Sequence, residues 1–258
     1  MPKTTALSHD GACTPPNPRP FPYADYLAAQ KALGKAIAGQ HFYATITGKS
    51  GMGKTSLVND LPLDRERHRF QLIYLTAAQA SLPGIARVLA LRLHIAPRRS
   101  FLECAHLITE AIAAQGSHLV LWLDEADRLE PETIAALRLL AESDVRCGQA
   151  FSLVLTGMPT LSALLDLPAL FALRRRLALR LTLSGLRRDE LDAFLLHRFG
   201  QPAAGRVPGH FKAELFERTQ AVPALIDRAI QVTLDASPKG NGDLDAEQTR
   251  AILDTFGL

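Results

Sequence analysis

Residues 41–57 read HFYATITGKSGMGKTSL, and this stretch decides the fold. Gly48, Gly53, Lys54 and Thr55 satisfy the phosphate-loop spacing GxxxxGK[ST]. A mostly apolar run, Phe42 to Thr47, precedes the loop, and a segment able to continue as helix follows it. That strand–loop–helix order gives the motif its physical meaning. Gly48, Gly51 and Gly53 permit backbone angles closed to side chains, so the chain can wrap closely with its N–H groups converging on a phosphate. The cradle runs from Gly48 to Ser56, with Lys49, Ser50 and Met52 between the glycines. Lys54 is placed to reach the outer phosphates and the Thr55 hydroxyl to ligate Mg²⁺. The helix that starts near Lys54 adds the positive end of its dipole.

The rest of the composition sets bounds. A chain of 258 residues with 47% hydrophobic and 21% charged content is a soluble globular protein of one large or two small domains. A net charge of +3 permits a polyanionic partner without demanding one. Cys13, Cys104 and Cys147 lie far apart, with no CxxC and no paired histidine spacing. A disulfide framework or zinc site is therefore not expected, and a reducing cytoplasm fits. No apolar run reaches the roughly 18 residues needed to span a bilayer. The start has no apolar core of a secretory signal, so the expected location is cytoplasmic. Residues 1–22, rich in Pro, Ser, Thr and Asn, read as a flexible arm.

Taken in order, Ala24–Gly39 has helical spacing, with Gly39 at its end. Strand, phosphate loop and helix follow, closed by Pro62 at the latest. A charged turn over 64–69 leads to a second strand near Phe70–Leu75, and Leu82–Leu93 reads as helix. Ser100 with Glu103 forms a capping box for a helix to Gln115, stopped by Gly116. Leu119–Leu123 is a continuous apolar run, as a parallel strand buried on both faces requires. Trp122 within it reads as core. Pro131 opens another helix, and Ala150–Thr156 is a further buried strand. Gly157-Met158-Pro159 turns into a short helix over 161–166. The alternation LALRLTL, residues 177–183, predicts a fifth strand. Beyond Gly185 only helices are expected: Asp189–Phe199, His210–Thr219, Pro223–Ala236 and Asp245–Phe256, with turn-rich connectors at 202–209 and 237–242. The boundary near 185 separates an α/β domain, residues 23–185, from an all-helical one, residues 186–258.

Phosphoryl chemistry also needs a metal ligand and a way to position water. Asp124 ends a buried strand about 70 residues after the loop and fits the Mg²⁺ role, usually through water. Glu125 beside it can orient or polarise the attacking water. Thr156 ends the next strand, where ligand groups gather in open parallel sheets. Its hydroxyl reads equally as a contact to the γ-phosphate or water and as the opening of a turn. Six arginines lie between 174 and 188, with no acid until Asp189. One can act as an arginine finger on a neighbouring subunit, and Arg176, closest to the fifth strand, is the choice for it. Others can meet nucleic-acid phosphates, and the alternative for most of them is a solvated basic surface. The histidines have no ligand-like partners.

GKSGMGKT, WLDEADRL, VLTGMPTL, the arginine before LALRLTLSGL and the helical tail together resemble an AAA+ ATPase. More narrowly they resemble the ExeA/GspA-like group, which contains bacterial secretion ATPases and transposition regulators of the TniB, TnsC and MuB type. The likeness covers roughly residues 20–235. It implies a P-loop NTPase with a parallel five-stranded sheet in the order 5-1-4-3-2 and a C-terminal all-helical lid from about 186. By this likeness Lys54 and Thr55 belong to Walker A, Asp124 and Glu125 to Walker B, Thr156 is sensor 1 and Arg176 the finger. The family often carries an arginine just after a proline in the lid. Here Ala224 follows Pro223, and Arg228, one turn on, is the candidate substitute. That departure suits slow turnover or a nucleotide-state switch.

The likeness also implies ATP with Mg²⁺, assembly into a homo-oligomeric ring or filament, and double-stranded DNA with a transposase or other element-encoded protein as partners. The expected function is an ATP-dependent DNA-binding regulator of transposition. Secretion ATPases of the group carry a transmembrane helix and a cell-wall-binding part after the ATPase, which this sequence lacks. A secretion or pilus-assembly ATPase and a signalling or replication-loading NTPase are the alternatives. By position, Tyr23 and its neighbours are candidates for the adenine pocket.

Overall fold

The computed structural model describes residues 19–39, 42–61, 70–76, 81–115, 118–142 and 150–236, with Glu247, Arg250, Ala251 and Asp254. Most of the expected arm, the turn at 64–69, Pro62, Gly116 and the connector at 237–242 lie outside them, as do Cys13 and Cys147. Two compact units are distinguished, residues 25–184 and residues 185–258 with 1–24.

The α/β unit is built from α1 (Ala24–Gly39), β1 (Tyr43–Gly48), α2 (Lys54–Asp60), β2 (Phe70–Thr76), α3 (Leu82–Arg92) and α4 (Phe101–Gln115). It continues through β3 (His118–Asp124), α5 (Pro131–Ala141), β4 (Phe151–Gly157), α6 (Thr160–Leu165), α7 (Phe171–Arg174) and β5 (Leu177–Leu183). All five strands pair in parallel in the order β2-β3-β4-β1-β5, the expected 5-1-4-3-2 sheet read from its other edge.

The burial pattern explains the strand sequences. Every residue of β3 and β4 is buried. Leu119, Leu121 and Leu123 join Leu153 and Leu155 in one apolar cluster with Ile85, Leu89, Ile108, Ile134 and Leu137 of α3, α4 and α5. Val120, Trp122, Val154, Ala44 and Ile46 point to the opposite face and are buried too. A sheet covered on both sides needs long apolar runs, as in β3 and β4, while β1 buries Thr45 and Thr47 along with Tyr43, Ala44 and Ile46. On β5, Leu177, Leu179 and Leu181 are half-buried while Ala178, Arg180 and Thr182 are exposed. Its alternation therefore records an edge strand. Helix starts follow their caps: Ser100 accepts from the Glu103 N–H at 3.5 Å, Ser81 accepts from Gly84, and Pro131 opens α5.

The second unit contains α8 (Leu191–Ala204), α9 (Gly209–Arg218) and α10 (Pro223–Ala236), and no strand among the described residues. The four described residues of the expected 245–256 segment are helical. The first helical run ends at Phe199, as expected: Gly200, with φ 75° and ψ 170°, is non-helical, and a second short helical stretch follows it to Ala204 within α8. Glycine alone adopts such angles cheaply, so the first helical run stops there. Gly185 opens the unit at φ 107°, where a Cβ would come within 2.4 Å of the Ala221 carbonyl oxygen. Phe194, Phe199, Phe211, Leu215, Ile226 and Ile230 form its buried interior. Arg198 ties α8 to α10 by two bonds to the Asp227 carboxylate, at 2.8 and 2.7 Å. No described helix is long and apolar enough to cross a membrane.

Candidate functional site

β1 ends at Gly48 and the chain curls back into α2. Gly51 and Gly53 have φ of 83° and 87°, left-handed angles that set the bend. Gly48 is needed for space: a Cβ there would lie 2.9 Å from the Leu183 carbonyl oxygen of β5. Met52 is buried inside the bend, whereas Lys49 and Ser50 are exposed and Ser56 is half-buried on α2. Tyr26 of α1 packs beside Gly53 and donates its hydroxyl to Asp60 at the end of α2, at 2.5 Å. Lys54 Nζ donates to the carbonyls of Gly48 at 2.6 Å and Lys49 at 3.0 Å, so the amine sits inside the loop's curve. Burial draws the Lys54 amine below the ordinary lysine range, while the charges of Asp124, Asp127 and Glu125 pull it the other way.

Asp124 is the hub. Only 5% exposed, its carboxylate accepts four hydrogen bonds. Thr55 Oγ1 and the Tyr74 hydroxyl each donate to Oδ2 at 2.7 Å. Thr156 Oγ1 donates to Oδ1 at 2.7 Å, and the Glu125 N–H to the same oxygen at 2.9 Å. Burial by itself would raise this carboxyl, but the bonds from Thr55, Thr156, Tyr74 and the Glu125 backbone hold it below the usual carboxylate range. A depressed folded value means the unfolded chain takes up the proton first. The stabilisation is therefore complete above about pH 3.9 and is lost as pH falls through the lower folded value. Asp124→Asn is expected to flatten the acid limb of a denaturant-derived pH–stability curve below about pH 4. An unchanged limb would show that other carboxyls control it.

The structure thus brings Lys54, Thr55, Asp124, Glu125 and Thr156 together at the carboxyl ends of β1, β3 and β4. Thr156 is fully buried, accepts from Trp122 Nε1 at 3.3 Å and donates to Asp124. Its geometry makes it a holder of Asp124, and Trp122 a holder of Thr156. Glu125 stands in the left-handed region, φ 55° and ψ 34°, half-exposed, with its carboxylate 3.5 Å from Arg128. Arg176 lies elsewhere. The register pairs Tyr43 with Leu177 and Gly48 with Leu183, so Arg176 sits at the opposite end of the strands from the loop. There its guanidinium is 3.3 Å from Glu142, which Arg138 also holds at 2.6 Å. Arg228 is exposed on α10, one turn after the exposed Ala224, and Tyr23 is buried; both belong to the helical unit.

Two residues of this neighbourhood have no motif. Tyr74 reaches Asp124 only because β2 pairs with β3 in a register that sets Tyr74 beside Trp122 and Thr76 beside Asp124. Asp127 accepts from the Met158 N–H at 2.9 Å and fixes the turn after β4, where a Cβ at Gly157 would clash with it at 2.3 Å.

The residues fit a polyphosphate and a hard cation. Two left-handed glycines shape the loop around an amine, and the Thr55 hydroxyl and Asp124 carboxylate form an adjacent pair of oxygen donors. Mg²⁺ suits such a pair, because it keeps several waters and takes further oxygens from phosphates. Among the described residues no group of three or more His, Cys, Asp or Glu forms an all-protein metal cage.

Residues 40–165 match the family described as AAA domain. General secretion pathway protein A of Aeromonas hydrophila is 27% identical over 238 residues, covering 85% of this chain and 41% of that protein. The chain therefore spans less than half the length of this curated relative. Among solved structures, Cdc6p from Pyrobaculum aerophilum superposes with a TM-score of 0.67 at 18% identity, over 88% of this chain and 65% of that one. The Aeropyrum pernix ORC1 protein in complex with DNA gives 0.62 at 14% identity, over 97% and 68%. With the parallel sheet order, these findings give the chain the AAA+ P-loop NTPase fold, and residues 40–165 are similar to the AAA domain family.

Proposed function

We propose that this chain is an ATP-dependent DNA-binding regulator of transposition. It assembles on duplex DNA with ATP bound, recruits or activates a transposase, and is released after hydrolysis. In this reading Lys54 holds the outer phosphates, and Thr55 with Asp124 holds Mg²⁺. The cation neutralises charge on the phosphate oxygens when bound. Thr156 keeps Asp124 in place, Glu125 orients water, and Arg228 of the lid senses the nucleotide.

The observation that supports DNA is a set of four exposed arginines in the segment between β2 and β3. Arg87 and Arg92 of α3, and Arg98 and Arg99 before α4, are all exposed. None forms an ion pair with a carboxylate among the described residues. The cluster at 174–188 differs, since Arg174 pairs with Asp166 at 2.8 Å, Arg176 with Glu142 and Arg188 with Glu217. Unpaired exposed guanidinium groups are what phosphate backbones release counterions against, so these four arginines are the better candidates for DNA contact. Within 174–176, Arg175 has no carboxylate partner among the described residues and lies over the Phe171 ring at 5.7 Å. A finger at Arg176 must first leave Glu142, whereas Arg175 needs no such exchange.

Duplex binding measured with ATP, ADP and no nucleotide across a salt series tests this. ATP-dependent, salt-sensitive binding is expected. Replacing Arg87, Arg92, Arg98 and Arg99 together with alanine should flatten the log–log salt slope by about 0.9 for each DNA phosphate that these arginines no longer neutralise. The relative named general secretion pathway protein A favours a second reading, an ATPase of a secretion or pilus-assembly system. ATP-driven assembly with no affinity for duplex DNA is the result that would move the conclusion there.

A further inference from the structure

A carboxylate offers about four lone-pair directions, two on each oxygen. At Asp124 all four are taken, by Thr55 and Tyr74 on Oδ2 and by Thr156 and the Glu125 N–H on Oδ1. A cation that Asp124 holds through water needs one of these places for the water's proton. Three of the donors have no reason to leave. The Thr55 hydroxyl can keep donating to Asp124 while its oxygen turns a lone pair to the cation. Thr156 is fully buried between the Trp122 indole and Asp124, and the Glu125 N–H is fixed by the adjoining backbone.

Tyr74 differs from all three. It stands on β2, an edge strand of the sheet, and is half-buried beside a cavity of about 620 Å³ lined also by Gln71, Arg92 and His94. Its phenol has room to swing outward, giving up its hydrogen bond to Asp124 and its interactions with the Thr55 and Thr76 hydroxyls. We infer that the Tyr74 hydroxyl is a placeholder for a metal-bound water: it satisfies Asp124 Oδ2 until Mg²⁺ and nucleotide load, and its displacement sets the Mg²⁺ concentration at which they do so. The inference rests on Thr55 and Asp124 holding the cation. The placeholder has a physical use, because a buried carboxylate left short of donors is costly, and the phenol spares the fold that cost between loading events. Tyr74 is then a positioning residue. It touches neither phosphate nor the reacting water and acts through Asp124.

The test is ATP affinity of the full chain by calorimetry, across free Mg²⁺ concentrations and in EDTA, for the parent, Tyr74→Phe and Tyr74→Leu. Phenylalanine keeps the ring and removes the hydroxyl. The half-saturating Mg²⁺ concentration should fall roughly two- to tenfold in Tyr74→Phe, the range of one net hydrogen bond. Its affinity in EDTA should match the parent's, whereas its melting temperature without Mg²⁺ should fall, because Asp124 then lacks one of its donors. Tyr74→Leu should shift the Mg²⁺ dependence the same way. Equal or higher Mg²⁺ requirement in Tyr74→Phe overturns the placeholder, as does a shift confined to Tyr74→Leu, which would assign the effect to packing. A parent whose ATP affinity ignores Mg²⁺ would instead overturn the Thr55–Asp124 metal site on which the inference stands.

Discussion

Lys54→Ala is expected to weaken nucleotide binding by about two orders of magnitude, ~3 kcal/mol. The amine lies within the loop's curve, bonded to the carbonyls of Gly48 and Lys49. Alanine removes the cation that would meet the outer phosphates and leaves those two carbonyls without that donor. The first loss falls on the bound state and the second on the unliganded loop. The unliganded fold should lose little, because burial already disfavours the charged amine. A thermal-shift titration separates the two. At ATP a hundredfold above the parent's Kd, binding stabilises the parent by about 2.7 kcal/mol, whereas a variant with Kd raised a hundredfold gains only about 0.4 kcal/mol. Equal shifts in parent and variant would take Lys54 away from the phosphates.

What the sequence discloses here depends on the range of the interaction. The phosphate loop is legible because its constraints are local: left-handed Gly51 and Gly53 and the amine six residues after Gly48 lie in one bend. β3 and β4 are legible because burial on both faces keeps their runs almost wholly apolar up to Asp124 and Thr156; the buried exceptions, His118 and Ser152, bond to each other at 2.8 Å. The edge position of β5 shows in its alternation. Tyr74 is not legible, since its meaning comes from the register of β2 against β3 and from a bond spanning 50 residues. The arginines illustrate the same point from the other side. A contiguous basic run at 174–176 attracts attention, but its charges are partly answered by Asp166 and Glu142, which only the fold brings near. Arg87, Arg92, Arg98 and Arg99, which no run in the sequence singles out, stay exposed with no carboxylate partner among the described residues. Gly200 is legible for the same local reason as the loop, because its positive φ ends the first helical run of α8 after Phe199.

Glu125→Gln should leave ATP affinity within about twofold of the parent while slowing hydrolysis roughly a hundred- to a thousandfold, the scale of a lost general base. The Glu125 contribution to the Asp124 hub is its backbone N–H, which glutamine retains. The cation site should therefore survive, and only the side-chain carboxylate is removed. Asp127 is a poor replacement, because its oxygens are engaged by the Met158 N–H and the Thr160 hydroxyl. The backbone supplies a second handle on the same residue. Holding glutamate at φ 55° costs about 1 kcal/mol or more, a strain that Glu125→Gly relieves. Glycine should then raise stability in denaturant unfolding and still lose hydrolysis, a pairing that damage to the fold cannot produce. If hydrolysis by Glu125→Gln equals the parent's, the water is oriented by another group. If it stalls, the proposed function requires the ATP-loaded protein to stay on duplex DNA far longer than the parent with an unchanged salt slope, because the arginines proposed to meet the phosphates are untouched and only the release step is blocked.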